Sequence, residues 1–166
     1  MPMDTALRNP EAAELVRRLD LQPHPEGGWY KETHRSPTVV RTTEHAQQAA
    51  FTSILYLLEH PAVSRLHRLD AEELWNWHGG GTLDVHVLSD GQQRRTHRLG
   101  PAPSEAFQIV VPAGCWFGAE VATPGAFCLV GCVVAPGFEF RAFEIADRAR
   151  LLAEYPHEAR LIERLS

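Results

Sequence analysis

The first residues of the chain show helical periodicity. Leu15, Val16 and Leu19 recur at helical spacing, while Asn9 is suited to the N-cap and Pro10 to the first turn. The pattern ends before His24. We therefore predict an N-terminal helix within residues 1–22.

From residue 23 to residue 145 the chain changes to short apolar runs rich in Val, Ile, Leu, Trp and Phe, interrupted by Gly, Pro and Asp. Such runs predict strands. Short strands separated by frequent turns favour an antiparallel sandwich or barrel over a βαβ protein. The clearest predicted strands are 51–58, 73–77, 83–88, 107–111, 127–134 and 139–143.

Residues 146–166 return to a helical pattern. Pro156 separates two predicted helices, 147–155 and 156–165, and Leu161 and Leu165 share a face of the second. No linker or repeat interrupts the chain. We predict a single all-β domain with short N-terminal and C-terminal helices.

Composition narrows the function classes. The 166 residues carry 16 Lys and Arg against 21 Asp and Glu, so there is no basic surplus for a phosphate backbone and we expect no nucleic-acid partner. No apolar run approaches the roughly 20 residues of a membrane helix, and the N-terminus lacks the layout of a signal peptide. We therefore expect a cytoplasmic protein without membrane contact.

The richest chemistry lies before the Gly79-Gly80-Gly81 turn. His67 falls at the start of a predicted polar turn, and Glu73 opens the strand that follows. Because residues two apart in a strand share a face, Glu73, Trp75 and Trp77 are predicted to line one pocket wall. An imidazole and a carboxylate can share acid–base work or hold a divalent metal. Arg65, in the same segment, is a further candidate ligand contact.

A second informative stretch is His24-Pro25-Glu26-Gly27-Gly28. Pro25 favours an extended residue before it, and the two glycines permit backbone angles that other residues resist, which brings the chain close to a ligand or to a neighbouring strand. The alternative is a tight turn that leads into an edge strand with polar residues facing water. The candidate ligand contacts of this region are His24, Glu26 and Glu32, with Tyr30 as a candidate proton donor.

Two blocks resemble the motifs of the cupin superfamily. In the first cupin motif, histidines precede a glutamate and a glycine follows after six intervening residues, as with Glu73 and Gly80. Pro112-Ala113-Gly114 resembles the start of the second motif. A little-characterised cupin branch is more similar, through the blocks HPEGG (24–28), SxxH (64–67) with EELW (72–75), VPAGxW (111–116) and VAPGFxF (134–140).

The resemblance implies a cupin jelly-roll β-barrel (double-stranded β-helix), commonly a homodimer, with a site inside the barrel. In the family arrangement, Gln108 would offer a hydrogen bond to the ligand and Trp116 a stacking wall. Metal-binding cupins have His-x-His in the first motif and a histidine in the second. Here Arg65 and Phe117 occupy those positions, so only His67 and Glu73 remain as candidate metal ligands, with His86 as a candidate third.

Three functions stay open at this point. The preferred one is an epimerase-like or isomerase-like enzyme acting on a sugar, a nucleotide-linked sugar or another small polar molecule. There His67 would take a proton, Glu73 would orient the imidazole, and Tyr30 or Tyr56 would donate a proton. The others are a binding protein that holds a small ligand unchanged and a metal-dependent oxygenase or isomerase. The candidate cofactor is a divalent metal.

Overall fold

The computed structural model describes residues 7–43, 47–89 and 94–166. Its α-helices are α1 (Pro10–Leu19), α2 (Arg148–Glu154) and α3 (Ala159–Arg164), with 3₁₀ turns at Phe140–Ala142 and Pro156–Glu158. The strands, in chain order, are β1 Gln22–Pro23, β2 Trp29–Arg35, β3 Val39–Val40, β4 Gln48–Ala49, β5 Thr52–Glu59, β6 Val63–Leu69, β7 Glu72–Gly80, β8 Leu83–Leu88, β9 Arg95–Leu99, β10 Gln108–Val111, β11 Trp116–Val121, β12 Phe127–Ala135 and β13 Phe143–Ile145.

Two antiparallel sheets face each other as a jelly roll. The first has the order β1-β2-β5-β12-β7-β10 and the second the order β13-β6-β11-β8-β9, while β3 and β4 form a small separate ribbon. The chain crosses from the first sheet to the second after β5 and returns after β6. Alternate side chains of the inner strands fill the space between the sheets, including Leu58, Trp75, Phe117 and Val130.

Helices cover the outer faces of both sheets. The Asn9 side chain caps α1, which packs Leu15 and Val16 against the first sheet near Leu57. On the second sheet, α2 and α3 pack Leu151 and Leu161 in an outer cluster that includes Trp116. Within the described ranges, no helix is long and apolar enough to cross a membrane.

The predicted elements match this architecture in part, because β6, β9 and β11 were not among the predicted strands and two further predictions were wrong. The strand predicted at 83–88 is Leu83–Leu88, Asn9 is the N-cap of α1, and the helix predicted from residue 147 begins at Arg148 with Asp147 as its N-cap. The strand predicted at 139–143 was wrong, because Phe140–Ala142 is a 3₁₀ turn and the strand begins at Phe143. His67 was predicted at the start of a turn but lies within β6. The prediction failed because the polar side chains of this strand conceal its alternation of buried and exposed positions.

A β-bulge in β6 shapes the site. His67 pairs with Phe117 of β11, yet Ser64 pairs with Ala119, so three residue steps of β6 face two of β11. The Leu66 N–H at this bulge donates to the Leu165 carbonyl, 2.8 Å away. The extra residue allows both Ser64 and His67 to be buried toward the same carboxylate, that of Glu26.

Candidate functional site

A cavity of about 110 Å³ opens between the two sheets. Its walls come from the turn before β2, from the inner faces of β2, β5, β6, β7 and β12, and from the segment around β13. The lining residues are His24, Glu26, Tyr30, Glu32, Arg35, Thr52, Ile54, Tyr56, His67, Leu69, Glu73, Trp75, Cys132, Val134, Phe138, Phe140 and Phe143.

The turn before β2 carries two of the polar groups into this cavity. Gly27 and Gly28 have φ of 114° and 70°, in the left-handed region that favours glycine. The Gly27 carbonyl accepts a hydrogen bond from the Tyr56 hydroxyl at 2.8 Å, and a Cβ on Gly27 would collide with the Val63 carbonyl. The turn is therefore held tightly against β5 and β6, which fixes Glu26 toward the interior.

The central feature of the cavity is a carboxyl–imidazole pair. Glu26 Oε2 lies 3.1 Å from His67 Nε2, and Glu26 Oε1 accepts a hydrogen bond from the Ser64 hydroxyl at 2.8 Å. Both members of the pair are buried. The carboxylate that meets the imidazole is thus Glu26, in place of the expected Glu73.

Hydrogen bonding defines the tautomer of His67. Its Nδ1 lies 2.6 Å from the Arg65 carbonyl oxygen, which can only accept, so Nδ1 carries the proton. Burial lowers the pKa of His67 to about 4 and raises that of Glu26 above its usual value. With Nδ1 already protonated, the 3.1 Å contact between Nε2 and Glu26 Oε2 holds one shared proton, and both pKa shifts favour its position on Glu26.

Glu73 is a second buried carboxyl group in the same cavity. Burial raises its pKa to about 8, and the neighbouring Glu26 carboxyl group acts in the same direction, against smaller opposing effects of Trp75 and Cys132. Its Oε2 atom is buried without a hydrogen-bond partner in the described structure. At pH 7 Glu73 is mainly a neutral acid, which can donate a hydrogen bond to a bound molecule.

His24 and Tyr30 complete the polar wall. His24 Nδ1 accepts the Glu26 backbone N–H at 3.2 Å, so the proton of the neutral ring is on Nε2. Burial lowers the pKa of His24, and its ring stands edge-on to Tyr30 with centroids 4.4 Å apart. Both residues line the cavity as predicted from the sequence.

A paired arginine stands at the rim. Arg35 is 2.9 Å from a Glu32 carboxylate oxygen and 3.3 Å from one of Glu139, and it also donates to the Phe138 carbonyl. Glu32 therefore lines the cavity as expected, but its charge is engaged by Arg35.

Contrary to expectation, the Arg65 side chain does not reach this cavity. The bulge in β6 turns it to the far side of the 24–28 turn, where its guanidinium donates to the Pro25 carbonyl at 2.5 Å. Its backbone instead supports the site, since its N–H donates to the Glu26 carbonyl at 2.9 Å and its carbonyl accepts from His67.

Three further predicted contacts also lie outside the cavity. Trp77 shares the face of Trp75 but sits about 7 Å further along β7, where its indole N–H donates to the Gly81 carbonyl. Gln108 pairs with Asn76 on the outer face of the first sheet. Trp116 also points outward, against α2 and α3 and with Arg68 stacked 4.5 Å from its ring centroid.

Sequence reasoning missed the aromatic side of the cavity. Phe138, Phe140 and Phe143 line it, and none of them was among the predicted site residues. Cys132 also lines it, beside Glu73. The signal was present in the three closely spaced phenylalanines after Pro136, but their direction depends on the 3₁₀ turn.

Comparison with known proteins gives the family. The family described as Cupin superfamily (DUF985) matches residues 13–146. This chain belongs to the cupin superfamily. Protein SO0799 from Shewanella oneidensis is similar at 36% identity and a TM-score of 0.86, covering 93% of this chain and 96% of that one. A hypothetical protein from Leishmania major is similar at 34% identity and a TM-score of 0.87, covering 93% and 98%.

A more distant cupin likeness concerns the fold alone. Oxalate decarboxylase from Bacillus subtilis matches at 16% identity and a TM-score of 0.55, with 89% of this chain aligned to 38% of that one. Another structure of that enzyme is described by its Mn(II) centres. No curated protein matches this chain in sequence.

The donor set of this cupin does not fit a metal. Phe117 stands where a second-motif histidine would be and packs on His67, with ring centroids 4.1 Å apart. His67 uses both ring nitrogens in protein hydrogen bonds, and His86 is engaged elsewhere by Glu120 and Thr96. Across residues 7–43, 47–89 and 94–166, no group of three His, Cys, Asp or Glu side chains is arranged to hold an ion.

Proposed function

We propose that this cupin is an isomerase-like or epimerase-like enzyme that moves a proton at a carbon next to a carbonyl group in a small polar molecule such as a sugar. The observation that carries the proposal is the 3.1 Å contact between Glu26 and His67 inside a cavity that also holds Glu73. Such a site contains a proton acceptor and a carbonyl-binding acid within one enclosed volume.

The Glu26–His67 pair supplies the base. When its shared proton moves from the Glu26 carboxyl to His67 Nε2, the carboxylate formed is stabilised by the adjacent imidazolium and by the Ser64 hydroxyl. That carboxylate takes the proton from the substrate carbon, and the C–H electron pair forms the enol double bond. The movement within the pair leaves the net charge of the cavity unchanged.

Glu73 and Tyr30 supply the acids. The neutral Glu73 carboxyl donates to the substrate carbonyl oxygen, where negative charge develops as the enol forms. Returning a proton to the opposite face of the same carbon gives an epimer, and returning it to the neighbouring carbon gives an isomer. Tyr30 suits this step better than Tyr56, whose hydroxyl is engaged by the Gly27 carbonyl.

The test is exchange of substrate hydrogen with solvent. Small aldoses and ketoses are incubated with the protein in D₂O, and deuterium at the carbon next to the carbonyl is followed by NMR. We expect incorporation by the wild type and a loss of about 100-fold or more in Glu26→Gln, whose amide keeps the size of the side chain. The exposed Glu14→Gln variant is the matched control.

A non-catalytic binding protein is the second candidate. The observation in its favour is the apolar and aromatic share of the cavity wall, which can hold a ligand without reacting groups. Binding of a sugar without deuterium incorporation, and equally tight in His67→Ala, would support this function and contradict proton transfer.

A further inference from the structure

The charges around the cavity carry information about its ligand. The fully ionised cation among the described lining residues is Arg35, which is engaged by Glu32 and Glu139 at 2.9 and 3.3 Å and by the Phe138 carbonyl. His24 and His67 are buried and neutral at pH 7. The wall thus offers an anionic ligand no free positive charge.

The cavity instead contains an excess of carboxyl groups. Glu26 and Glu73 are buried in its interior, and Glu32 stands at the rim. A carboxylate or phosphate entering this space would lose its hydration and approach these groups without a compensating ion pair.

An uncharged polyhydroxy compound carries no charge that needs an ion-pair partner in this cavity. Ile54, Leu69 and Val134 form an apolar wall against which the C–H face of a sugar can pack. The carboxyl group of Glu73 and the hydroxyl of Tyr30 can exchange hydrogen bonds with its carbonyl and hydroxyl groups.

We propose that the cavity selects uncharged hydroxy-carbonyl compounds, such as neutral aldoses and ketoses, and rejects their carboxylate and phosphate counterparts. The selection rests on the proposed function, since it concerns the substrate of the same site. The sequence left both a free sugar and a nucleotide-linked sugar as candidate substrates. The proposed selection favours the free sugar, because the phosphates of a nucleotide-linked sugar would have to stay outside the cavity.

The experiment uses matched probes that differ by one charged group. The pairs are glucose and glucuronate, galactose and galacturonate, and ribose and ribose 5-phosphate, measured at pH 7 by calorimetric titration. We expect the neutral member of at least one pair to bind at least tenfold more tightly than its anionic partner. An anionic member that binds as tightly or more tightly overturns the proposal, as does a panel in which no neutral member binds.

A charge variant tests the physical cause. Glu32→Gln removes the closest partner of Arg35, so we expect the anionic probes to bind several-fold more tightly. Glu14→Gln frees Arg17 from the same i,i+3 pairing on an exposed helix and should leave binding unchanged. Because exposed pairs contribute little to stability, both variants should fold. An unchanged anion affinity in Glu32→Gln would overturn the electrostatic basis of the selection.

Deuterium incorporation separates this proposal from the proposed function. Tight binding of a neutral probe without incorporation supports the ligand class and contradicts proton transfer. Binding and incorporation with an anionic probe contradict the ligand class and support proton transfer.

Discussion

Glu26, His67 and Glu73 acquire their chemistry from burial. In water a carboxyl and an imidazole would both be ionised near pH 5 to 6. Here burial raises the pKa of Glu26 and of Glu73 and lowers that of His67, which favours the neutral form of each group. All three were candidates from the sequence. Their pairing was not, because the contact between Glu26 and His67 joins residues 41 positions apart and depends on the bulge in β6.

Glu73 gives a prediction about stability and pH. Its pKa rises from 4.5 to about 8 on folding, so between these values the folded chain keeps a proton that the unfolded chain has released. This contribution is present below about pH 4.5 and is lost as the pH rises toward 8. The free energy of unfolding should therefore fall with rising pH in the wild type.

Glu73→Gln should lack this part of the slope. In urea denaturation at pH 5, 6, 7 and 8, the free energy of unfolding of the variant should rise relative to that of the wild type by about 1 kcal/mol per pH unit. Parallel pH dependences in the two proteins would show that Glu73 is ionised in the folded state.

At the scale of elements, the site depends on irregularities that interrupt regular strands. The sequence predicted the 24–28 turn from its glycines and the strands of the first sheet from their apolar runs. It did not predict which way Arg65 or Trp116 would point, since strand alternation fails at the bulge of β6 and the strand β11 was not recognised. A shift of one residue in the register of a strand moves every side chain that follows to the opposite face of the sheet.

The turn itself can be tested with Gly27→Ala. The added Cβ would meet the Val63 carbonyl and must also adopt a positive φ, so the free energy of unfolding should fall by about 2 kcal/mol or more. Gly125→Ala is the matched control, because Gly125 has φ of 73° but no atom within 4 Å of the added Cβ. Equal losses in the two variants would mean that close packing of the turn contributes nothing.

At the scale of the whole molecule, an antiparallel sandwich or barrel was predictable because short apolar runs and turn signals recur along most of the chain, and the jelly roll was predicted from the resemblance to the cupin motifs. The cavity was less predictable from the sequence, because it forms only where the two sheets, the 24–28 turn and the segment around β13 converge. Homodimer formation and a cytoplasmic location stay predictions from the sequence.

The donor set predicts a low metal content for the purified protein. Protein prepared without chelators or a metal-affinity tag should contain far less than one equivalent of iron, manganese, nickel or zinc. A His67→Ala, Glu73→Ala double variant should contain the same amount. Near-stoichiometric metal in the wild type that disappears in the double variant would contradict the conclusion that these residues do not fit a metal ion.

The most direct test of the account is the protonation state of His67. Selective ¹⁵N labelling of histidine, with His67 assigned from a His67→Gln variant, reports the charge and the tautomer of the ring by NMR. The account predicts a neutral ring protonated on Nδ1 from pH 8 down to pH 5. An imidazolium at pH 7, or a neutral ring protonated on Nε2, would contradict it.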